Sequence, residues 1–299
     1  MPAPPTGVMQ TLAPGIRRII APNPSPMTLW GTNTFVLGEG DVTVIDPGPP
    51  LPVHYDAILA GLERGERIAR ILVTHAHIDH SPLARPLSEN TGARVHAFGP
   101  ATAGRSQVMC DLVARGMASG GEGIDSDFMP DEFLGDDDEL DIGNGIKVAA
   151  IWTPGHLSNH LCFAMNGALF TGDHVMGWAS TLISPPDGDV TAFMASCRKL
   201  AARRDDIHYP AHGAAVSDPA ARLAWLIAHR EGREAEILAA LAAEPATITT
   251  LTRAIYTDTP KALMAAAERN VFAHLIDLTT RDLVRANPSL AANAVFRRI

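Results

Sequence analysis

The chain is poor in the features that mark a secreted scaffold, a membrane protein or a nucleic-acid coat. Only three cysteines, Cys110, Cys162 and Cys197, occur in 299 residues. They are far apart, odd in number and without C-x-x-C spacing, so neither a disulfide framework nor a cysteine metal site is expected. Cys162, inside Leu161-Cys162-Phe163, reads as a small core residue. No segment reaches the ~18 uninterrupted apolar residues of a membrane span. The Pro-rich stretch Met1 to Gly15 has no basic region followed by an apolar one. These absences predict a cytoplasmic protein with no membrane association. Lys/Arg runs are also missing: 24 basic against 33 acidic residues leave a formal charge of −9, the wrong sign for coating phosphate backbones. With 46% apolar residues, the length suits one large domain, or a domain with a small appendage.

What is present is concentrated at Thr74-His75-Ala76-His77-Ile78-Asp79-His80. The apolar run Ile71-Leu72-Val73 leads into it and reads as a buried strand, so the cluster sits where a strand gives way to a loop. Pro82 then opens a helix that ends near Gly92. His75 and His77 alternate by one residue, which at a strand end projects both rings to one side. Asp79 and His80 reach the same space from beyond the turn. Imidazole nitrogen with carboxylate oxygen suits Zn²⁺ and related divalent ions.

The same device recurs along the chain. Strands are expected over Ile16 to Ile20, Thr28 to Leu37 and Val42 to Ile45, the last ending at Asp46-Pro47-Gly48. Asp46 serves either turn chemistry or the support of metal ligands. Tyr55, Ile58, Leu59 and Leu62 have helical spacing, and Arg94 to Phe98 is another strand. Residues 100–130 are the least regular part, with Met109, Leu112, Val113 and Met117 forming one helical face of core or lid packing. Seven carboxylates crowd residues 131–141, read as a solvated turn without EF-hand spacing. Ile146 to Thr153 runs into Pro154-Gly155-His156. A hairpin around Asn166-Gly167 feeds Thr171-Gly172-Asp173-His174. An amphipathic helix over Thr191 to Arg203 follows, and Ile207-His208-Tyr209 ends in Pro210-Ala211-His212-Gly213. Strand after strand stops at a Gly-bearing turn that holds His or Asp.

The economical grouping is two ions. His75, His77 and His156 make a three-imidazole site with an open position. Asp79, His80 and His212 take the second ion, and Asp173 bridges the pair. Two divalent ions are therefore the expected cofactors, Zn²⁺ leading and Mn²⁺ or Fe as alternatives, ~3.5–4 Å apart and sharing a hydroxide. Asp79 is the expected catalytic residue, orienting the hydroxide and passing its proton on. His160 and His174 contact substrate, support the ligands or simply pack locally, and Trp152 and Trp178 are expected as pocket walls.

His-x-His-x-Asp-His at 75–80, Pro-Gly-His at 154–156, Gly-Asp at 172–173 and His-Gly at 212–213 resemble the metallo-β-lactamase superfamily over about residues 15–215. The resemblance implies an α+β fold, a four-layer αββα sandwich with a dinuclear site at one edge. Asp79 looks like the hydrolase branches such as glyoxalase II. Ala211 departs from the Gly that relatives commonly carry, and slight loop strain is expected there. Glu234 to Ala243, Ile248 to Tyr256 and Leu263 to Val284 are helical patterns, with short strands at Val284-Arg285 and Val295-Phe296. This tail looks like a winged helix, and the combination resembles the β-lactamase-like-protein-2 branch, which includes an endoribonuclease. The expected organisation is a leader at 1–14, a catalytic domain at 15–228 and a winged-helix-like domain at 229–299.

Charge separates the partners. Residues 229–299 hold nine Lys/Arg and eight Asp/Glu, a balance of about +1, leaving about −10 for the rest. A phosphate-binding surface shows a basic stripe, whereas these residues are scattered among acids. A small ester, thioester or lactone is therefore the favoured substrate and single-stranded RNA the runner-up. The tail is expected to pack on the core or to form a homo-oligomer.

Overall fold

Side-chain alternation in the strands sets the layers of this computed structural model, which describes residues 3–118 and 123–299. One sheet holds β1 (Gln10–Ala13), β2 (Ile16–Ile20), β3 (Asn33–Leu37), β4 (Asp41–Ile45), β5 (Arg67–Leu72), β6 (Arg94–Ala97) and β7 (Glu132–Phe133), in that spatial order. Pairing is antiparallel from β1 to β4 and parallel from β4 to β7. The second sheet holds β8 (Glu139–Asp141), β9 (Lys147–Trp152), β10 (Leu161–Met165), β11 (Ala168–Gly172) and β12 (Ile207–Pro210), ordered β12-β11-β10-β9-β8. In β10, Leu161, Phe163 and Met165 face inward against Phe35, Leu37 and Leu72 of the first sheet. Cys162 points the other way, into a layer with Phe193 and Leu200, the small core residue expected of it.

Helices cover both outer faces. Ile58 of α1 (Pro52–Ala60) and Leu87 of α2 (Ala84–Thr91) pack on Val36, Val44 and Ile71 of the first sheet. Phe193 and Leu200 of α4 (Val190–Ala201) and Leu223 and Leu226 of α5 (Pro219–Ala243) cover the second. The result is the four-layer αββα sandwich that the family resemblance implies. Between these lies α3 (Gln107–Ala114), whose Met109 and Leu112 are buried while Val113 is exposed.

The C-terminal part adds α6 (Ile248–Ile255), α7 (Met264–Thr280) and an antiparallel pair, β13 (Val284–Asn287) with β14 (Val295–Arg298). Ile237 and Leu241 of α5 join Leu251, Leu275 and Phe296 in its core, which also takes Met109 and Leu112. Helix α5 thus serves two cores and runs unbroken through the expected 228/229 junction. Asp218 caps it, its carboxylate accepting from the Ala221 N–H at 2.9 Å.

Other details differ from the sequence expectations. Gln10–Ala13, placed in the leader, is the edge strand β1, which pairs through its backbone with β2. The strand expected from Thr28 begins only at Asn33, because the Ser25 hydroxyl accepts from the Met27 and Thr28 N–H groups and holds a turn. The acidic stretch 131–141 contains two short edge strands rather than one turn. Of the irregular stretch 100–130, residues 119–122 lie outside the described residues, as do Met1 and Pro2 of the leader. No described helix is long and apolar enough to cross a membrane.

Candidate metal centre

Parallel pairing of β4 and β5 brings their C-terminal ends together, and this sets the first part of the site. Asp46 ends β4 with φ +48°, a left-handed conformation that is uncommon outside Gly. Its carboxylate offsets the strain by accepting from the Thr74 N–H and the Thr74 hydroxyl, each at 2.7 Å, and from His80 Nδ1 at 3.0 Å. The two readings of Asp46 therefore both hold: it makes the turn and it orients a ligand. β9, β11 and β12 point the same way in the second sheet, so His156, Asp173 and His212 follow strand ends on the same edge.

The donor atoms of His75, His77, His156 and Asp173 lie within 4.8 Å of one another, and so do those of Asp79, His80 and His212. All seven sequence-predicted residues are thus brought together, in two groups consistent with a dinuclear metal site. His156 Nε2 is 3.6 Å from one oxygen of Asp173, whose other oxygen is 3.6 Å from His80 Nε2 and 3.3 Å from His212 Nε2. Asp173 therefore turns one oxygen to each group. Asp79 Oδ2 is 3.2 Å from His212 and 3.5 Å from His80. It has the most exposed side chain among these carboxylates and their imidazole partners, 23%, and faces the opening beside the half-exposed Ile78.

Hydrogen bonds fix the tautomers. The Thr74 hydroxyl donates to Asp46, so it accepts from His75 Nδ1–H at 2.9 Å. His156 Nδ1–H donates to the Leu182 carbonyl at 2.8 Å and His212 Nδ1–H to the Gly31 carbonyl at 3.2 Å. With His80 donating to Asp46, four rings turn Nε2 inward. His77 instead presents Nδ1, at 2.9 Å from His75 Nε2 and 3.1 Å from His156 Nε2. An ion between these three nitrogens would be held by all of them, and the spacing is near the ~3.3 Å edge of a tetrahedron with ~2.0–2.1 Å Zn–N bonds. His80 Nε2 and Asp173 Oδ1 are buried without a hydrogen-bond partner, which an ion would satisfy. The residues fit a pair of divalent ions.

Electrostatics divide the groups the same way. Burial, with neighbouring imidazoles, pushes His75 well below its usual range and His77 down to about 3. They are neutral, as ligands must be. Burial also works against charge on Asp79 and Asp173, but the facing His80 and His212 hold both carboxyls well below their usual range. In return, and against its burial, His212 is raised to about 9 by Asp173 and Asp79, so without an ion its Nε2 holds a proton that a bound ion would displace.

The supporting residues were only partly anticipated. His160 is fully buried and contacts no open space: its Nε2 accepts from the Asp173 N–H at 3.3 Å, and its Nδ1 meets the Thr153 hydroxyl at 2.9 Å. Gly172 (φ +49°) permits this approach, since a Cβ there would lie 2.5 Å from His160 Nε2. His174 packs on Phe193 and lies 3.6 Å from Cys197 Sγ. Trp152 stacks on Phe98, while Trp178 lines a cavity near the site. Ala211 does not carry the expected strain; the positive φ of that turn falls on Gly213 instead.

The residues missed lie in the C-terminal part. Arg230 of α5, 1% exposed, donates to the Thr181 carbonyl and, at 3.1 Å, to Asn270 Oδ1 of α7. The same Oδ1 accepts from the Ile183 N–H at 3.1 Å. The Thr181 hydroxyl donates to the Asp173 carbonyl, and Leu182 holds His156. The 181–183 segment therefore couples the C-terminal helices to two ligands. The one sequence signal is a charge inside an apolar stripe, Leu223, Leu226, Arg230, Ile237, Leu241.

Comparison with known proteins follows the division of the chain. The model of the metallo-beta-lactamase superfamily matches residues 27–212, and that of the beta-lactamase associated winged helix domain matches residues 247–292. The chain is 30% identical to Beta-lactamase-like protein 2 homolog of Drosophila melanogaster, over 93% of this chain and 92% of that one. It is 29% identical to an atrochrysone carboxyl ACP thioesterase of Aspergillus fumigatus, over 78% of this chain and 67% of that one. In structure it resembles a beta-lactamase domain protein from Burkholderia ambifaria, with a TM-score of 0.80 at 22% identity, over 99% of this chain and 95% of that one.

Proposed function

The chain belongs to the metallo-β-lactamase superfamily, and from that premise we propose that it is a dinuclear metal-dependent hydrolase of small ester, thioester or lactone substrates. The observation that carries the reading is Asp173, one oxygen turned to each of two groups of inward-facing donors. Zn²⁺ is the proposed ion, because imidazole and carboxylate donors suit it, with Mn²⁺ and Fe as alternatives. Two bound ions would lower the pKa of water toward ~7 and polarise a carbonyl or phosphoryl oxygen.

The chain's own residues do the rest. Asp46, Thr74 and the Leu182 and Gly31 carbonyls hold four imidazoles in the ligand tautomer. Asp79, the carboxylate nearest the opening, orients the attacking water and accepts its proton. His160 fixes the backbone at Asp173 and takes no part in proton transfer. The thioesterase relative supports an acyl substrate.

A second reading, cleavage of single-stranded RNA, is favoured by the β13–β14 wing. There the exposed Arg285 and Arg297 stand opposite each other, with exposed Arg298 next to them. The deciding experiment incubates metal-loaded protein with short-chain thioesters and with single-stranded RNA, using Asp79→Ala to exclude a contaminating nuclease. We expect thioester turnover with weak salt dependence. RNA cleavage that falls steeply with salt and disappears in Asp79→Ala would replace the first reading with the second.

A further inference from the structure

A cavity of about 240 Å³ lies between the segment that follows Asp173 and the C-terminal helices; no metal ligand lines it, but residues that hold the ligands do. Three of its walls belong to the ligand framework. Leu182 lines it, and its carbonyl holds His156. Met176 lines it three residues after Asp173. Trp178 lines it while packing against Gly213, next to His212: a Cβ on Gly213 would lie 2.8 Å from the Trp178 ring. Leu263 and Ala267 close the far side. At the rim, Met27 is 45% and Trp178 38% exposed, apolar surface of the kind that marks a binding site.

The lining is chemically specific. None of its described residues carries a charge. The amide oxygen of Asn270 is already engaged by Ile183 and Arg230. Hydroxyls of Ser180, Tyr256 and Thr259 also line it, but most of the wall is apolar, so the cavity rewards methylene or ring carbon and gives a phosphate no cation in its lining. At the ~30 Å³ of one water-sized group, its 240 Å³ holds a chain of about eight.

We propose that this cavity is an acyl pocket, which makes the substrate a thioester or ester of an apolar acyl group of about eight carbons. The inference rests on the hydrolytic reading above and narrows it. In the reaction the acyl carbon gains the oxygen of water and its bond to sulfur or oxygen breaks. The leaving thiol or alcohol takes a proton, and the product is an apolar carboxylate that still occupies the cavity.

The test uses the full-length, metal-loaded chain with N-acetylcysteamine thioesters from two to twelve carbons. KM should fall roughly three- to fourfold per added methylene and level off near eight carbons. Ala266→Phe, which fills the pocket from α7, should lower the ratio of eight- to two-carbon kcat/KM by about tenfold or more. Leu263→Trp repeats the test should the first variant fail to fold. Octanoate binding, followed by tryptophan fluorescence, gives an equilibrium readout independent of turnover, and Ala266→Phe should weaken it. Hydrolysis with no chain-length dependence would overturn the pocket and leave the hydrolase standing. Octanoate binding sensitive to Ala266→Phe, without hydrolysis of any thioester, would uphold the pocket and sink the hydrolase. Neither hydrolysis nor binding would overturn both.

Discussion

Replacing Arg230 with Met tests whether the C-terminal helices help to build the metal site or merely pack beside it. The side chain is 1% exposed, and no carboxylate pairs with it among the described residues. Burial pushes its pKa down to about 10, so it is still cationic at neutral pH. Two opposing effects follow from its loss. Hydrogen bonds from a charged donor contribute ~1.5–3 kcal/mol each, and Arg230 gives one to the Thr181 carbonyl and one to Asn270. Against that, an unpaired buried charge carries a desolvation cost of several kcal/mol, which Met removes. Met also keeps the contact with the Phe193 ring, 5.4 Å from the guanidinium carbon. The terms largely cancel, and the metal-free protein should change by no more than about 2 kcal/mol.

Metal binding should not share that cancellation. Thr181 loses its anchor, and with it Leu182 loses the position from which its carbonyl fixes His156. Loss of an outer partner of this kind typically lowers metal affinity 10–100-fold. The assay is a chelator competition on Arg230→Met alongside the urea midpoint of the metal-free form. A weakened three-imidazole site with a nearly unchanged midpoint is expected, and Asn270→Ala should act in the same direction. Affinities within threefold of the parent in both variants would refute the coupling.

Elemental analysis of protein purified without added metal should find about two first-row ions per chain; near zero, unrestored by Zn²⁺ or Mn²⁺, would remove the dinuclear assignment. Asp173→Ala should cost more metal and activity than His160→Ala, because Asp173 faces both groups and His160 holds only its backbone; equal losses would show that the bridge is misassigned. Acid stability should depend on His274, which burial, reinforced by Arg230, holds at about 3. Between pH 6.5 and 3 the unfolded chain binds a proton there and the folded chain does not, so stability is full above pH 6.5 and falls with pH below it. The loss is about 2 kcal/mol by pH 5; the urea midpoint should drop less between pH 7 and 5 in His274→Leu, and identical slopes would contradict the assignment.

Most of the site was legible because its ligands lie at strand ends, where local signals are strong. His75, His77, Asp79 and His80 follow one apolar run, and His156, Asp173 and His212 each follow another, marked by Gly155, Gly172 and Gly213. What supports them was harder to read. Asp46 and Thr74 meet only because β4 and β5 pair in parallel, a long-range fact that no window of sequence contains. Arg230 and Asn270 are 40 residues apart on different helices, and neither stands near a ligand in sequence. Strand limits failed where side chains intervene: the Ser25 hydroxyl holds a turn inside a run whose composition reads as extended. The junction at 228/229 followed the extent of the family resemblance and the winged-helix-like pattern of the tail, whereas the apolar face of α5 runs across it from Leu226 to Ile237 and Leu241.

That continuity bears on what the C-terminal part is for. An arm whose task is to hold a polymer needs freedom to approach it and a basic face to present. Here α5 shares two cores, α3 places Met109 and Leu112 in the module's interior, and Arg230 with Asn270 fastens it to the segment that carries Leu182. Two of its acids tie the helices together as well: Arg281 joins Glu234 of α5 at 2.6 Å and Asp277 of α7 at 3.0 Å. The face it turns to the cavity, through Leu263 and Ala267, is uncharged, while the exposed arginines of the wing stand on β13 and β14, outside the cavity lining. On the proposed reading, a wall so placed would select on the shape and apolarity of a small substrate, and selection of that kind requires the rigid attachment that the buried contacts supply.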